Sequence, residues 1–116
     1  MPYLMVFIGG GAGSLLRFFF VRCMGNIPAP FPVGVLFVNI IGSIAIGVLA
    51  GLGFKNHEII NPLLVVGFLG GFTTFSAFSL EAVTILQQGR FAHAAIYIGS
   101  SILFCIAGTF IGLKLT

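Results

Sequence analysis

The stretch Gly67-Phe68-Leu69-Gly70-Gly71-Phe72-Thr73-Thr74-Phe75-Ser76-Ala77-Phe78-Ser79 stands in the middle of an apolar run that extends from Pro62 to Gln87. Adjacent glycines followed by a cluster of hydroxyl residues make a poor helix interior, since each glycine costs about 1 kcal/mol relative to alanine. The run is nonetheless long enough to cross a bilayer, for which about 20 apolar residues suffice. Broken backbone at that depth is tolerated only where protein buries it or where it lines a wet cavity. The stretch therefore reads either as a glycine-smoothed helix contact or as a break that exposes backbone groups to an ion. The density of polar groups just after the glycines favours the break.

Outward from this run, hydropathy marks three more spans. The first covers residues 3–21, with Arg17 and Arg22 marking one end. Gly25, Asn26, Pro28, Pro30 and Pro32 then form a turn-rich connection. The second span covers 33–54 and ends at the polar stretch Lys55-Asn56-His57-Glu58. The third, 62–87, opens on Pro62, a good first-turn residue. After the short turn Gln88-Gly89-Arg90, the fourth covers 92–113 and leaves Lys114 at its end. The segment Met1 to Phe20 lacks a basic leader and reads as a retained first span. Residues 1–116 are thus expected to form a single four-helix transmembrane domain.

Composition excludes the main alternatives. Of 116 residues, 59% are hydrophobic and only 6% charged. A soluble domain carries about 25% charged residues to hydrate its surface. The mean hydropathy of +1.21 fits lipid as the surrounding solvent. The net charge of +3 is small and scattered, without the basic stripe that nucleic-acid binding needs. Cys23 and Cys105 form no C-x-x-C pair and have no acidic or histidine cluster nearby, so they read as small packing residues. Catalysis is not expected either. His57 and His93 fall in connections, Glu58 is a loop residue, and Glu81 stands alone in the third span.

Glycine and charge carry two further messages. G-x-x-x-G spacing occurs in every span: Gly9 with Gly13, Gly47 with Gly51, Gly67 with Gly71, and Gly108 with Gly112. That spacing lets helix backbones approach closely and argues for a compact, laterally associating bundle. Four spans also place both termini on one side, together with the 54–61 loop. Lys55 and Lys114 lie on that side, and Arg17, Arg22 and Arg90 on the other. So little asymmetry leaves the positive-inside rule almost nothing to act on. The expectation is insertion in both orientations and antiparallel pairing; a single orientation fixed by assembly is the alternative.

What remains for chemistry is an uncharged polar set. Asn39 and Ser43, four residues apart, share a face of the second span; Thr73, Thr74, Ser76 and Ser79 follow the break; Ser100, Ser101 and Thr109 lie on the fourth span. Phe75 and Phe78 are three apart, among these hydroxyls. A phenylalanine ring has a positive edge, so ring edges together with amide and hydroxyl donors suit a small anion. A cation pathway would use carbonyl or carboxylate rings instead. The nearest fixed charge is the cation Arg17, near a mouth, which also reads as a snorkelling end-of-helix residue.

These residues also carry a resemblance. Gly67 to Phe78 closely resembles the signature of the Fluc (CrcB) family of fluoride channels. Gly10-Gly-Ala-Gly-Ser-Leu-Leu-Arg17 and Gly34-Val-Leu-Phe-Val-Asn39-Ile-Ile-Gly42 resemble the family's first-helix and second-helix motifs. The three fall in order, and the resemblance covers the whole chain. It implies a multi-pass bacterial inner-membrane protein, an antiparallel dual-topology homodimer with two pores that passively exports cytoplasmic fluoride. It also implies the roles. Phe75 and Phe78 would be the ring-edge contacts, Asn39 the pore donor, and Arg17 the vestibule cation, with Ser76, Ser79 and Thr109 in a polar track. A structural sodium ion at the dimer centre would be held by the backbone carbonyls of Gly70 and Thr73. Glu81 matches an acidic family position of less defined role. Two positions depart from the pattern: Ala77 replaces a frequent threonine, and Cys105 replaces an expected hydroxyl, for which Ser101 one turn earlier is the substitute. A small proton-coupled multidrug exporter is the alternative of similar size, but it needs a carboxylate in the first span, and residues 3–21 contain none.

Overall fold

The computed structural model describes residues 1–27 and 32–116; Pro28 and Pro30 of the turn-rich connection lie outside the described residues. The described chain is helical, with four segments long and apolar enough to cross a membrane. Helix α1 is Pro2–Cys23 and α2 is Val33–Gly51. The third span, Asn61–Gln87, consists of a π-wound segment Asn61–Phe68, the short helix α3 (Leu69–Phe72) and helix α4 (Phe75–Gln87). Helix α5 is Phe91–Lys114. The longest dimension, 46 Å, matches a bilayer with its headgroup regions, about 40–45 Å.

The second span ends at Gly51 rather than at the expected residue 54. Gly53 adopts φ +84°, a left-handed conformation open to glycine at little cost, and the chain leaves the helix there. A 3-10 turn, Phe54–Asn56, follows. Gly89 plays the same part between α4 and α5, with φ +75°. His57 opens the third span: its Nδ1 accepts from the amides of Ile59 and Ile60, both at 3.2 Å, which satisfies donors that a helix start leaves orphaned.

The bundle is built from two parallel pairs, and the glycine motifs build both. In the first, α1 lies along residues 61–72. A Cβ on Gly67 would stand 3.2 Å from the Cα of Gly9, and one on Gly13 only 2.9 Å from the amide nitrogen of Phe72. In the second pair, α2 lies along α5, and a Cβ on Gly112 would stand 3.0 Å from the Cα of Gly47. Side chains larger than hydrogen do not fit at such crossings. All four G-x-x-x-G motifs are therefore engaged between helices of one chain.

A small core closes the other end, where Val35, Phe78, Ala82, Ile85, Ala94 and Tyr97 pack together across α2, α4 and α5. Tyr97 and Val38 are completely buried. Most remaining large apolar side chains face outward, as expected where the surroundings are lipid or a second protein.

Candidate ion pathway

The third span breaks at Thr73 and Thr74, which adopt extended conformations (φ −88°, ψ 155° and φ −150°, ψ 123°). Four side chains hold this break. Asn39 of α2 takes both backbone groups of Thr74: its Oδ1 accepts from the Thr74 amide at 2.8 Å, and its Nδ2 donates to the Thr74 carbonyl at 3.0 Å. Arg17 of α1 donates from Nε to the Gly71 carbonyl at 3.0 Å, and Ser14 Oγ lies 3.5 Å from the same oxygen. The Thr74 hydroxyl caps α4 by accepting from the Ala77 amide at 3.2 Å. This is the usual role of a threonine at a helix start.

The consequence is a set of carbonyls without their helical donors. A continuous helix would give the Thr74 amide to the Gly70 carbonyl and the Ala77 amide to the Thr73 carbonyl. Asn39 and the Thr74 side chain take those amides instead. Gly70 and Thr73 both line the groove described next.

Between α2, α5 and the third span runs a groove of about 470 Å³. Its polar lining comes from Asn39, Ser43, Thr73, Thr74, Ser101 and Cys105, and its aromatic lining from Phe75 and Phe78. A second groove of about 440 Å³ continues along α5 past Ser43 and Cys105 to Thr109. The Phe75 and Phe78 rings stand 5.4 Å apart at 53° to one another. Phe78 is buried against Tyr97, centroids 5.3 Å apart, whereas Phe75 is 78% exposed. One wall of the groove is therefore open at the surface of the single chain.

The donors differ in readiness. Asn39 has two N–H groups, and only one is spent on Thr74. Ser101 is buried, and its Oγ has no hydrogen-bond partner among the described residues. Ser43 donates to its own helix, to the Asn39 carbonyl at 2.7 Å, and Thr109 donates to the carbonyls of Ser43 and Cys105 at 3.1 and 3.2 Å. Those two hydroxyls must rotate before they can serve an anion.

Of the residues singled out from sequence, Asn39, Phe75, Phe78 and Ser101 share the groove, and Thr109 stands in its continuation. Ser76 and Ser79 line neither groove; both are exposed on α4, and Ser76 Oγ lies 3.3 Å from the Thr74 hydroxyl. Arg17 lines neither groove and reaches the break itself. Both cysteines are free: Cys23 is exposed, and Cys105 is half-buried where the two grooves meet. Glu81 lines a separate cleft with Thr84, Gln88 and Arg90 at the end of the bundle. Tyr97 was not singled out. Its signal was the spacing of four along α5, Tyr97, Ser101, Cys105 and Thr109, which places all four side chains on one helix face.

Fold and site together define a small multi-pass membrane protein with a polar, donor-lined groove beside a broken helix. The chain belongs to the CrcB family: the family model described as CrcB-like protein, Camphor Resistance (CrcB), matches residues 4–113. Its relatives include a protein of Rhodopseudomonas palustris that is 41% identical over 119 residues, covering 99% of this chain and 96% of the relative. One of Novosphingobium aromaticivorans is 44% identical over 115 residues, covering 95% and 91%. A third, of Pseudoalteromonas translucida, is 42% identical over 115 residues, covering 96% of each. All three are named fluoride-specific ion channel FluC, a name that describes a channel and not an enzyme.

Proposed function

We propose that this protein is a fluoride-selective channel of the bacterial inner membrane that lets cytoplasmic fluoride leave passively. The observation that carries the reading is the groove itself, lined together by Phe75 and Phe78, whose ring edges are weakly positive, by Asn39 with its second N–H, and by Ser101, whose hydroxyl has no partner among the described residues. Each of these groups is a neutral or weak donor. They can replace part of an anion's water shell while holding it loosely enough for release, as conduction requires.

The working unit in this reading is an antiparallel homodimer. The exposed ring of Phe75 and the open wall of the groove support it, because a second copy laid over that face would close the file and exclude lipid. A two-fold operator repeats every feature, so one dimer holds two pores. The near-absence of charge asymmetry between the two ends allows the two insertions that such a pair needs.

Gly70 and Thr73 fit the implied structural sodium ion. Their carbonyls are hard oxygen donors, unwound backbone of the kind that coordinates sodium in membrane proteins, and neither receives its helical amide. Bound at the dimer centre, the ion would supply a fixed positive charge against those carbonyls. The chain's own part is to keep both amides engaged elsewhere, through Asn39 and Thr74.

The test is ion efflux from liposomes containing the purified protein, fluoride and chloride read side by side with ion-selective electrodes. Rapid fluoride loss with chloride retained is expected. Release of neither ion by a folded, dimeric preparation would reject the channel and redirect attention to proton-coupled drug export.

A further inference from the structure

We propose that Arg17 is a positioning residue, and that the channel requires its Nε–H on the Gly71 carbonyl rather than its charge. The inference starts from where the third span stops being helical. Residues 61–72 end in orphaned carbonyls, since the extended conformations of Thr73 and Thr74 carry the next amides away. Gly71 is one of them; an unbroken helix would give it the amide of Phe75. Arg17 takes that place from α1 at 3.0 Å, with Ser14 on the same oxygen at 3.5 Å. An arginine bonded to the last carbonyls of a helix also meets the negative end of its dipole.

Asn39 holds Thr74 from the opposite side, through both its amide and its carbonyl. The break is thus gripped at two points, Gly71 by α1 and Thr74 by α2, on either side of Thr73. The two grips fix the angle between the halves of the span, and that angle sets where the exposed Phe75 ring stands. Arg17 itself lines neither groove. Its effect on an ion there can pass through the backbone it holds or through the field of its charge.

Side-chain chemistry separates the two roles. Glutamine carries its Nε2 the same number of bonds from Cα as arginine carries Nε, so Arg17→Gln keeps a donor at that position and removes the charge. Arg17→Lys keeps the charge and places a methylene there. If the bond is what matters, Arg17→Gln keeps fluoride efflux within about threefold of the unaltered protein, while Arg17→Lys lowers it by about tenfold or more, the scale of a lost hydrogen bond from a charged donor. Amide hydrogen exchange is the second readout. Exchange over residues 72–77 rises in Arg17→Lys and stays unchanged in Arg17→Gln, with α5 as the internal reference. The opposite order, equal loss or equal retention overturns the proposal. If Arg17→Gln does not yield folded protein, Arg17→citrulline, with the same Nε–H and no charge, decides in its place. The flux arm rests on the channel reading, but the exchange arm does not. Should the unaltered protein pass no fluoride, that reading fails and the exchange comparison still decides the clamp.

Discussion

The two halves of the third span are built for opposite purposes. Residues 61–72 lie against α1 so closely that Gly67 meets Gly9 and Gly13 meets the backbone of Phe68 and Phe72. This half offers no polar side chain to the groove between Asn61 and Phe72. Residues Phe75–Gln87 begin with a capped turn and send Phe75 and Phe78 into that groove. A half locked by backbone contact makes a rigid base, from which the other half can hold two rings at a fixed place beside Asn39. Rigidity is bought with glycine in one half, and chemistry is placed by capping in the other.

That division predicts which changes unfold the protein and which only stop it conducting. The largest effect belongs to Gly13→Leu. The added side chain would enter the backbone of Phe68 and Phe72, which cannot move aside. A cost of about 3 kcal/mol or more is expected, visible as a lowered thermal transition by circular dichroism in detergent. Gly11→Leu, where nothing lies within 4 Å of the new Cβ, should leave the transition unchanged. If both behave alike, the first half is not the rigid base.

Next comes the pair of rings. Phe78→Ala removes a buried ring from the core and should cost about 3 kcal/mol of stability. Phe75→Ala, with its ring exposed on the single chain, should leave the unfolding of the protomer unchanged. Its fluoride efflux should fall about tenfold, consistent with an aromatic contact of about 1.5 kcal/mol. A Phe75→Ala protein that conducts normally would remove the ring edge from the pathway.

Asn39→Ala sharpens the comparison at the junction of the halves. It removes both bonds to Thr74, each worth about 0.6 kcal/mol in a membrane. The transition should fall only slightly while efflux falls much further, because the ring positions and the free N–H are lost together. The smallest effect expected is that of Cys105→Ser. Thiol and hydroxyl differ by about one weak hydrogen bond, so efflux should change by about threefold or less, with chloride still excluded. A change of about two- to threefold keeps Cys105 in the pathway, and unchanged flux would take it out.

Much of this was legible in the residues. Run length located the spans, since a hydrocarbon slab leaves few other ways to arrange so few charges. The pair Gly70-Gly71 before Thr73-Thr74 marked the break to within a residue. The lower end of α2 was not legible, because Gly53 ends a helix through a left-handed turn that hydropathy cannot register. The burial of Tyr97, one turn before Ser101, was also not legible, because the spacing of four along α5 gives a shared face and not what covers it.

By itself, then, the sequence determined the solvent, the number of spans, the place of the break and the kind of groups available to an ion, because these depend on composition and on neighbours along the chain. Tertiary structure alone decided which glycine motif meets which, that Asn39 spends half of its amide on Thr74, and that Arg17 reaches Gly71. Such pairings join residues more than 30 positions apart. They depend on how helices lie against one another, which no local pattern of residues encodes.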